Sequence, residues 1–169
     1  MPLSFETRQE IESALGRYPE RRTAVLDALR AAQRERGYLS SDTIREVAEI
    51  LDMDPSALVS LVTFYDLFHD NPVGEHVIMV CRSISCYLRG ADDLIQYISE
   101  RLGVPVGGTT ADGKFTLKTI ECLASCGTAP AMLVNERYYE QLTRERVDQI
   151  LSALASSTSG KATATGGAQ

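Results

Sequence analysis

Four cysteines constrain this chain more than any other feature. They fall in two pairs, Cys81-x4-Cys86 and Cys122-x3-Cys126, with 35 residues between the pairs. Each pair follows a segment that reads as a strand. His76-Val77-Ile78-Met79-Val80 is a continuous apolar and β-branched run of the kind a buried strand shows, and Phe115-Thr116-Leu117-Lys118-Thr119-Ile120 alternates. If the two strands are parallel neighbours, Cys81 and Cys122 end them at the same sheet edge and all four thiols converge. A set of four soft sulfur donors suits zinc or an iron–sulfur cluster, and C-x4-C, unlike the tight C-x2-C knuckle of zinc sites, also occurs in plant-type 2Fe-2S ferredoxins. The spacing therefore leans towards iron, while zinc and free or transiently oxidised thiols stay open. A thiol oxidoreductase is disfavoured, since no C-x2-C is present.

The rest of the chain supplies the frame for those loops. Its 169 residues, 44% apolar and 24% charged, make one to one and a half globular domains. Residues 1–73 read as a helical domain. Thr7 with Glu10 fits a capping box, Arg21 to Arg36 carries Val25, Leu26, Leu29 and Ala32 at helical spacing before Gly37, Ser41 or Asp42 opens a third helix, and Asp54-Pro55 opens a fourth bearing Leu58, Leu61, Val62 and Tyr65. Residues 74–155 read as β-α-β-β-β-α. Leu94, Ile95, Ile98 and Leu102 mark a helix closed by Gly103, Asn135-Glu136 turns a hairpin between Ala131–Val134 and Arg137–Tyr139, and Thr143 caps a last helix. That order pairs the first two strands through a right-handed helical crossover and adds an antiparallel hairpin, the outline of a thioredoxin-like domain. The expected fold is α+β: an N-terminal helical bundle, then a thioredoxin-like domain with a mixed sheet. Residues 156–169, rich in Ser, Thr, Gly and Ala, read as a disordered tail.

Several function classes are excluded at this stage. A net charge of −6 argues against a nucleic-acid or anionic-membrane coat. The longest apolar stretch, Ala57 to Tyr65, is interrupted by Ser60 and Thr63 and falls far short of the roughly 20 residues of a spanning helix. The N-terminus lacks a signal core, which points to a reducing cytoplasm where thiols stay reduced. No G-x-G-x-x-G opens a helix and no G-x4-G-K-[ST] loop is present. The chain thus shows no site for a nucleotide cofactor and no catalytic residue of its own. His69 and His76, at a helix end and a strand start, read as structural, and Phe64, Tyr65 and Phe68 read equally as core or as a partner-docking face.

The motifs resemble one family. Cys81-Arg82-Ser83-Ile84-Ser85-Cys86, Thr110-Ala111-Asp112-Gly113-Lys114-Phe115 and Glu121-Cys122-Leu123-Ala124-Ser125-Cys126-Gly127-Thr128-Ala129-Pro130 are similar to the E subunits of NADH:quinone oxidoreductase, respiratory complex I. Tyr18-Pro19-Glu20-Arg21-Arg22, Val62-Thr63-Phe64-Tyr65-Asp66-Leu67-Phe68 and Asn71-Pro72-Val73-Gly74 extend the match over about residues 15–152. The resemblance implies a 2Fe-2S cluster on Cys81, Cys86, Cys122 and Cys126, a partner flavoprotein binding FMN and NADH, and a location peripheral to the inner membrane. Related modules serve NAD-dependent formate dehydrogenases and NAD(P)-reducing hydrogenases; a zinc-stabilised scaffold and a free-standing ferredoxin are the rival readings. The family commonly has Gly-Ala between its last two cysteines where this chain has Ala124-Ser125. With four thiolates such a cluster is a dianion that becomes a trianion on reduction, so nearby cations favour the reduced form. Arg82 is the first candidate and Arg89 the second, and Glu121 is expected to face away.

Overall fold

A computed structural model describes residues 2–156. The expected tail, residues 156–169, lies outside the described residues except for Ser156, which ends the last helix instead of opening a tail. Contacts divide the chain into two compact units, Met1–Val73 and Gly74–Gln169.

The first unit is helical: α1 (Phe5–Arg17), a 3-10 turn (Arg21–Ala24), α2 (Val25–Arg36), α3 (Ser41–Leu51) and α4 (Pro55–Phe64). Its caps follow side-chain chemistry. Ser4 rather than Thr7 caps α1, accepting from the Thr7 N–H, and Ser40 rather than Ser41 or Asp42 does the same for Thr43 at α3. Asp54 caps α4 with Pro55 in its first turn, as the sequence requires. Gly37 closes α2 at a φ of 82°, a left-handed conformation that glycine adopts without strain. One face of each helix contributes to a shared core that includes Ile11, Leu29, Leu39, Val47, Leu51, Leu58 and Phe68.

The second unit is a mixed sheet with helices. It comprises β1 (His76–Cys81), α5 (Ile84–Leu88), α6 (Ala91–Leu102), β2 (Phe115–Ile120), β3 (Met132–Val134), β4 (Arg137–Tyr139) and α7 (Arg144–Ser156). Strand order is β2-β1-β3-β4. β1 and β2 are parallel with His76 opposite Phe115 and Cys81 opposite Ile120, whereas β3 pairs antiparallel with β1 and with β4. β1 lies between two neighbours and all six of its residues are buried, which is why it reads as an unbroken apolar run. Ile78, Val80, Leu117 and Met132 from the sheet pack with Leu94 and Ile98 of α6 and with Val147, Ile150 and Leu151 of α7. The order expected from the sequence therefore holds, with the short helix α5 added.

Gly74 sets the start of this sheet. Its N–H donates to Thr116 Oγ1 at 2.6 Å, and a Cβ there would lie 2.9 Å from the Phe115 backbone. Only glycine lets the chain come so close to β2 as it enters β1. The helices α6 and α7 are joined at the surface by Asp148, which accepts from Tyr97 Oη at 2.7 Å and from Arg101 Nε at 2.9 Å. Those two bonds hold its carboxyl below the ordinary aspartate range.

Candidate metal centre

The parallel register decides where the cysteines go. Because Cys81 pairs with Ile120 and the Arg82 N–H donates to the Ile120 carbonyl at 3.0 Å, the chain leaves β1 and β2 at the same end. Cys81 closes β1, Cys86 sits within α5, Cys122 follows β2 by two residues, and Cys126 opens a 3-10 turn over Cys126–Thr128. All four are free thiols; Cys81 and Cys86 are buried, Cys122 and Cys126 exposed.

The sulfurs come together unevenly. Burial first, and then the hydrogen bond with the Cys81 thiol, push the Cys86 thiol above its ordinary value, opposed by the backbone of Ala131, with Cys81 and Cys126 also acting through charge. Cys86 thus has both Cys81 and Cys126 as electrostatic neighbours. Cys81 Sγ lies 3.8 Å from the Glu121 carbonyl, and Cys122 Sγ accepts the Ala124 N–H at 3.3 Å. Among the described residues no three His, Cys, Asp or Glu groups gather closely enough to hold a single ion. The parallel register thus brings the two cysteine loops to one end of the sheet, where Cys86 feels both Cys81 of its own loop and Cys126 of the other.

This donor set fits a group larger than one ion. Its ligands are soft thiols without a histidine, they belong to two loops at one sheet edge, and backbone groups already serve the sulfurs of Cys86 and Cys122. A cationic centre held between the loops would favour the thiolate form that ligation requires.

The second loop is held by polar contacts that leave no mark in the sequence pattern. Glu140, just after β4, accepts from Thr128 Oγ1 at 2.6 Å and from Ser125 Oγ, while Ser125 and Thr128 hydroxyls lie 2.7 Å apart. The Ser125 hydroxyl first, then that of Thr128, hold the Glu140 carboxyl below its ordinary value. The only clue is the presence of two hydroxyl residues flanking Cys126; their partner lies 12 to 15 positions away.

Ala124 has φ of 57°. This left-handed backbone, which disfavours a Cβ, aims the Ala124 N–H at Cys122. Ala124→Gly is expected to raise the unfolding free energy by roughly 0.5–1 kcal/mol, the strain relieved less the extra chain entropy of glycine. Thermal unfolding of the two chains reads this as a rise in Tm of about 1–4 °C; an unchanged or lower Tm would show that the alanine sits there unstrained.

The remaining candidates fall outside this cluster. Arg82 Nε lies 3.8 Å from Glu121 Oε1, and both side chains are exposed, Glu121 at 85%. Glu121 does face solvent, and its carboxylate offsets part of the Arg82 charge. His76 begins β1 five residues before Cys81, about 16 Å away at roughly 3.3 Å per residue, and is buried with its ring 5.4 Å from that of Phe115. His69 is buried in the helical unit, its N–H donating to Gln33 Oε1. Phe68 joins the helical core, whereas Phe64 is 76% exposed and Tyr65 40% exposed. Beside Cys86, the α5 residues Ile84, Tyr87 and Leu88 are also exposed.

Two thiol loops at one end of a mixed sheet flanked by helices define a thioredoxin-like ferredoxin. The family model "Thioredoxin-like [2Fe-2S] ferredoxin" matches residues 11–155, and the chain belongs to that family. Among its relatives, the "E 2" subunit of the NADH-quinone oxidoreductase of Rhizobium meliloti (strain 1021) is 42% identical over 146 residues, covering 86% of this chain and 87% of the relative. "NADH-quinone oxidoreductase subunit 2" of Thermus thermophilus is 36% identical over 154 residues, covering 89% and 85%. In fold the chain is similar to an NAD+-reducing [NiFe]-hydrogenase in the air-oxidized state, with TM-score 0.65 and 21% identity over 75% of this chain and 22% of that one.

Proposed function

We propose that this chain is the one-electron carrier subunit of an NADH:quinone oxidoreductase, with Cys81, Cys86, Cys122 and Cys126 holding a 2Fe-2S cluster that exchanges electrons with FMN on a partner flavoprotein. The observation that carries this reading is the parallel β1–β2 pair, which delivers both cysteine loops to one end of the sheet. When bound, the cluster supplies a site that takes up or gives up one electron without bond rearrangement in the protein.

The chain's own residues do the rest. The thiols bind, the buried pair Cys81 and Cys86 excluding water on one side while Cys122 and Cys126 stay accessible at the surface. The Ala124 N–H directs a dipole at Cys122 Sγ, which favours added negative charge there. The exposed apolar side chains of α5 give the ligand-bearing edge a surface that a partner can cover. NADH and FMN belong to that partner in this reading, and this chain contributes electron transfer and no substrate chemistry of its own. Its place is peripheral, on the cytoplasmic side, and reached through the complex. Among the described residues no helix is long and apolar enough to cross a membrane.

The sequence identity to quinone-linked subunits favours this assignment over the equivalent subunit of a hydrogenase or formate dehydrogenase. The deciding measurement is visible absorption and low-temperature electron paramagnetic resonance of the anaerobically purified chain, with iron, sulfide and zinc analysis. A brown protein with about two irons and two sulfides per chain, and a rhombic signal only after dithionite, is the expected result. A colourless chain carrying stoichiometric zinc would leave a scaffold and end the redox reading.

A further inference from the structure

β4 and the segment following it touch the second cysteine loop repeatedly. Tyr138 Oη donates to the Leu123 carbonyl at 3.3 Å, the Gln141 N–H to the Thr128 carbonyl at 2.8 Å, and the Leu142 N–H to the Pro130 carbonyl at 3.1 Å. Between these backbone stitches stands the Glu140 carboxylate, accepting from Thr128 Oγ1 at 2.6 Å and from Ser125 Oγ. The two hydroxyls sit on either side of Cys126, one residue before it and two after. The Thr128 N–H donates to the Ser125 carbonyl at 3.2 Å, so the same four residues form the turn and carry its side-chain lock.

We propose that Glu140 is a positioning residue for the metal centre: its carboxylate locks Ser125 and Thr128 together and thereby fixes the turn that presents Cys126. The proposal rests on the reading of the four cysteines as cluster ligands. Its logic is that of a ligand's outer partner: a hydrogen bond that costs nothing at the moment of binding restricts the loop beforehand, so less ordering is left for the ligands to impose. A single glutamate oxygen does this by accepting from both hydroxyls at once, a shared acceptor that the two hydroxyls alone would not provide. It also sets a fixed negative charge on the Cys126 side, opposing the added charge of reduction.

Two consequences separate the positions of the atoms from the charge. Glu140→Gln keeps a carbonyl oxygen where the carboxylate was and removes the charge; Glu140→Ala removes both. In the full-length chain loaded with iron and sulfide, loss of visible absorbance to an excess of chelator is expected to run about tenfold faster in Glu140→Ala and within about twofold of wild type in Glu140→Gln, a tenfold change being the low end for the two hydrogen bonds lost. The reduction potential of Glu140→Gln is expected to shift upward relative to wild type. In the chain without metal, amide hydrogen exchange over residues 122–130 is expected to accelerate in Glu140→Ala and not in Glu140→Gln. If Glu140→Ala fails to fold, the double variant Ser125→Ala/Thr128→Ala removes the donors while leaving Glu140 in place, and the same acceleration is expected from it. Wild-type chelator resistance and wild-type exchange in the variants that lack the lock would overturn the proposal, as would a Glu140→Gln chain as labile as Glu140→Ala. A wild-type chain that takes up no iron and sulfide would instead remove the functional reading, and the exchange measurement on the metal-free chain would still judge the lock.

Discussion

Cys86→Ala is expected to leave a folded chain that cannot be turned brown. Cys86 is buried to 3% exposure, and the thiols of Cys81 and Cys126 both act on its sulfur. All four cysteines are free and no fifth exists, so no spare thiol can take its place. Removing a single sulfur from a small, half-helical turn costs the fold about 1 kcal/mol in packing, too little to unfold a domain whose core lies with Ile78, Leu117, Ile98 and Val147. The loss is therefore of metal and not of structure. Iron and sulfide after reconstitution are expected to fall at least tenfold, with far-ultraviolet circular dichroism unchanged. Cys122→Ser, at an exposed position, is expected to do the same with a smaller effect on Tm. A Cys86→Ala chain that still held wild-type iron and gave the wild-type resonance spectrum would remove Cys86 from the ligand set.

Much of the architecture was legible because local chemistry and burial agree. Asp54-Pro55, Gly37 and Gly103 mark helix ends through backbone requirements that no distant residue alters, and Gly103 indeed has a φ of 68°. The central strand β1 shows itself because a strand covered on both faces must be apolar throughout. Asn135, with a φ of 54°, turns the hairpin as its side chain allows. The misplaced caps have equally local causes. Ser4-x-x-Thr7 offers two hydroxyls for one cap, and the Glu10 that pointed to Thr7 pairs with Arg34 of α2 instead. At α3 the run Ser40-Ser41-Asp42 holds three competent caps, and only the geometry of the incoming chain chooses the first. The helix α5 spans five residues, too few for a periodic apolar pattern to register.

The site was legible to a different depth. Strand order and cysteine position together located both loops, because register in a parallel pair fixes which ends coincide. The Glu140 lock was not legible, since hydrogen bonds between residues 12 to 15 apart leave no periodic trace and a glutamate after a strand has many uses. The pairing of Arg82 with Glu121 was hidden for the same reason: which of several acidic residues meets an arginine is a matter of loop geometry, and the neighbouring Asp92 and Asp93 were closer in sequence. The one sequence clue to the left-handed backbone at Ala124 is the glycine that the family commonly has there and this chain lacks.

Deleting residues 1–73 is expected to leave a chain that still binds its cluster and no longer stays with the flavoprotein. The helical unit builds its core from its own residues, Leu29, Val47, Leu51 and Leu58 among them, and the sheet unit builds another from Ile78, Leu117, Met132 and Ile150, so each side of the cut keeps its buried residues. The cut must spare Gly74, whose N–H bond to Thr116 Oγ1 starts the sheet. What the deletion removes is surface. Val59, Phe64, Tyr65 and Leu67 are all exposed, and the Phe64 and Tyr65 rings meet edge to face at 5.0 Å. Aromatic groups held rigid by one another and offered to solvent are the kind of residue that anchors an interface, because they bury much area and lose little freedom. A point variant separates that surface from the bulk of the unit: Phe64→Asp in the full chain, at a position 76% exposed, is expected to fold normally and to weaken association at least tenfold. Copurification of the coexpressed flavoprotein with residues 74–169 at the wild-type ratio would assign docking to the sheet unit, and the exposed α5 residues beside Cys86 would then be the surface that carries it.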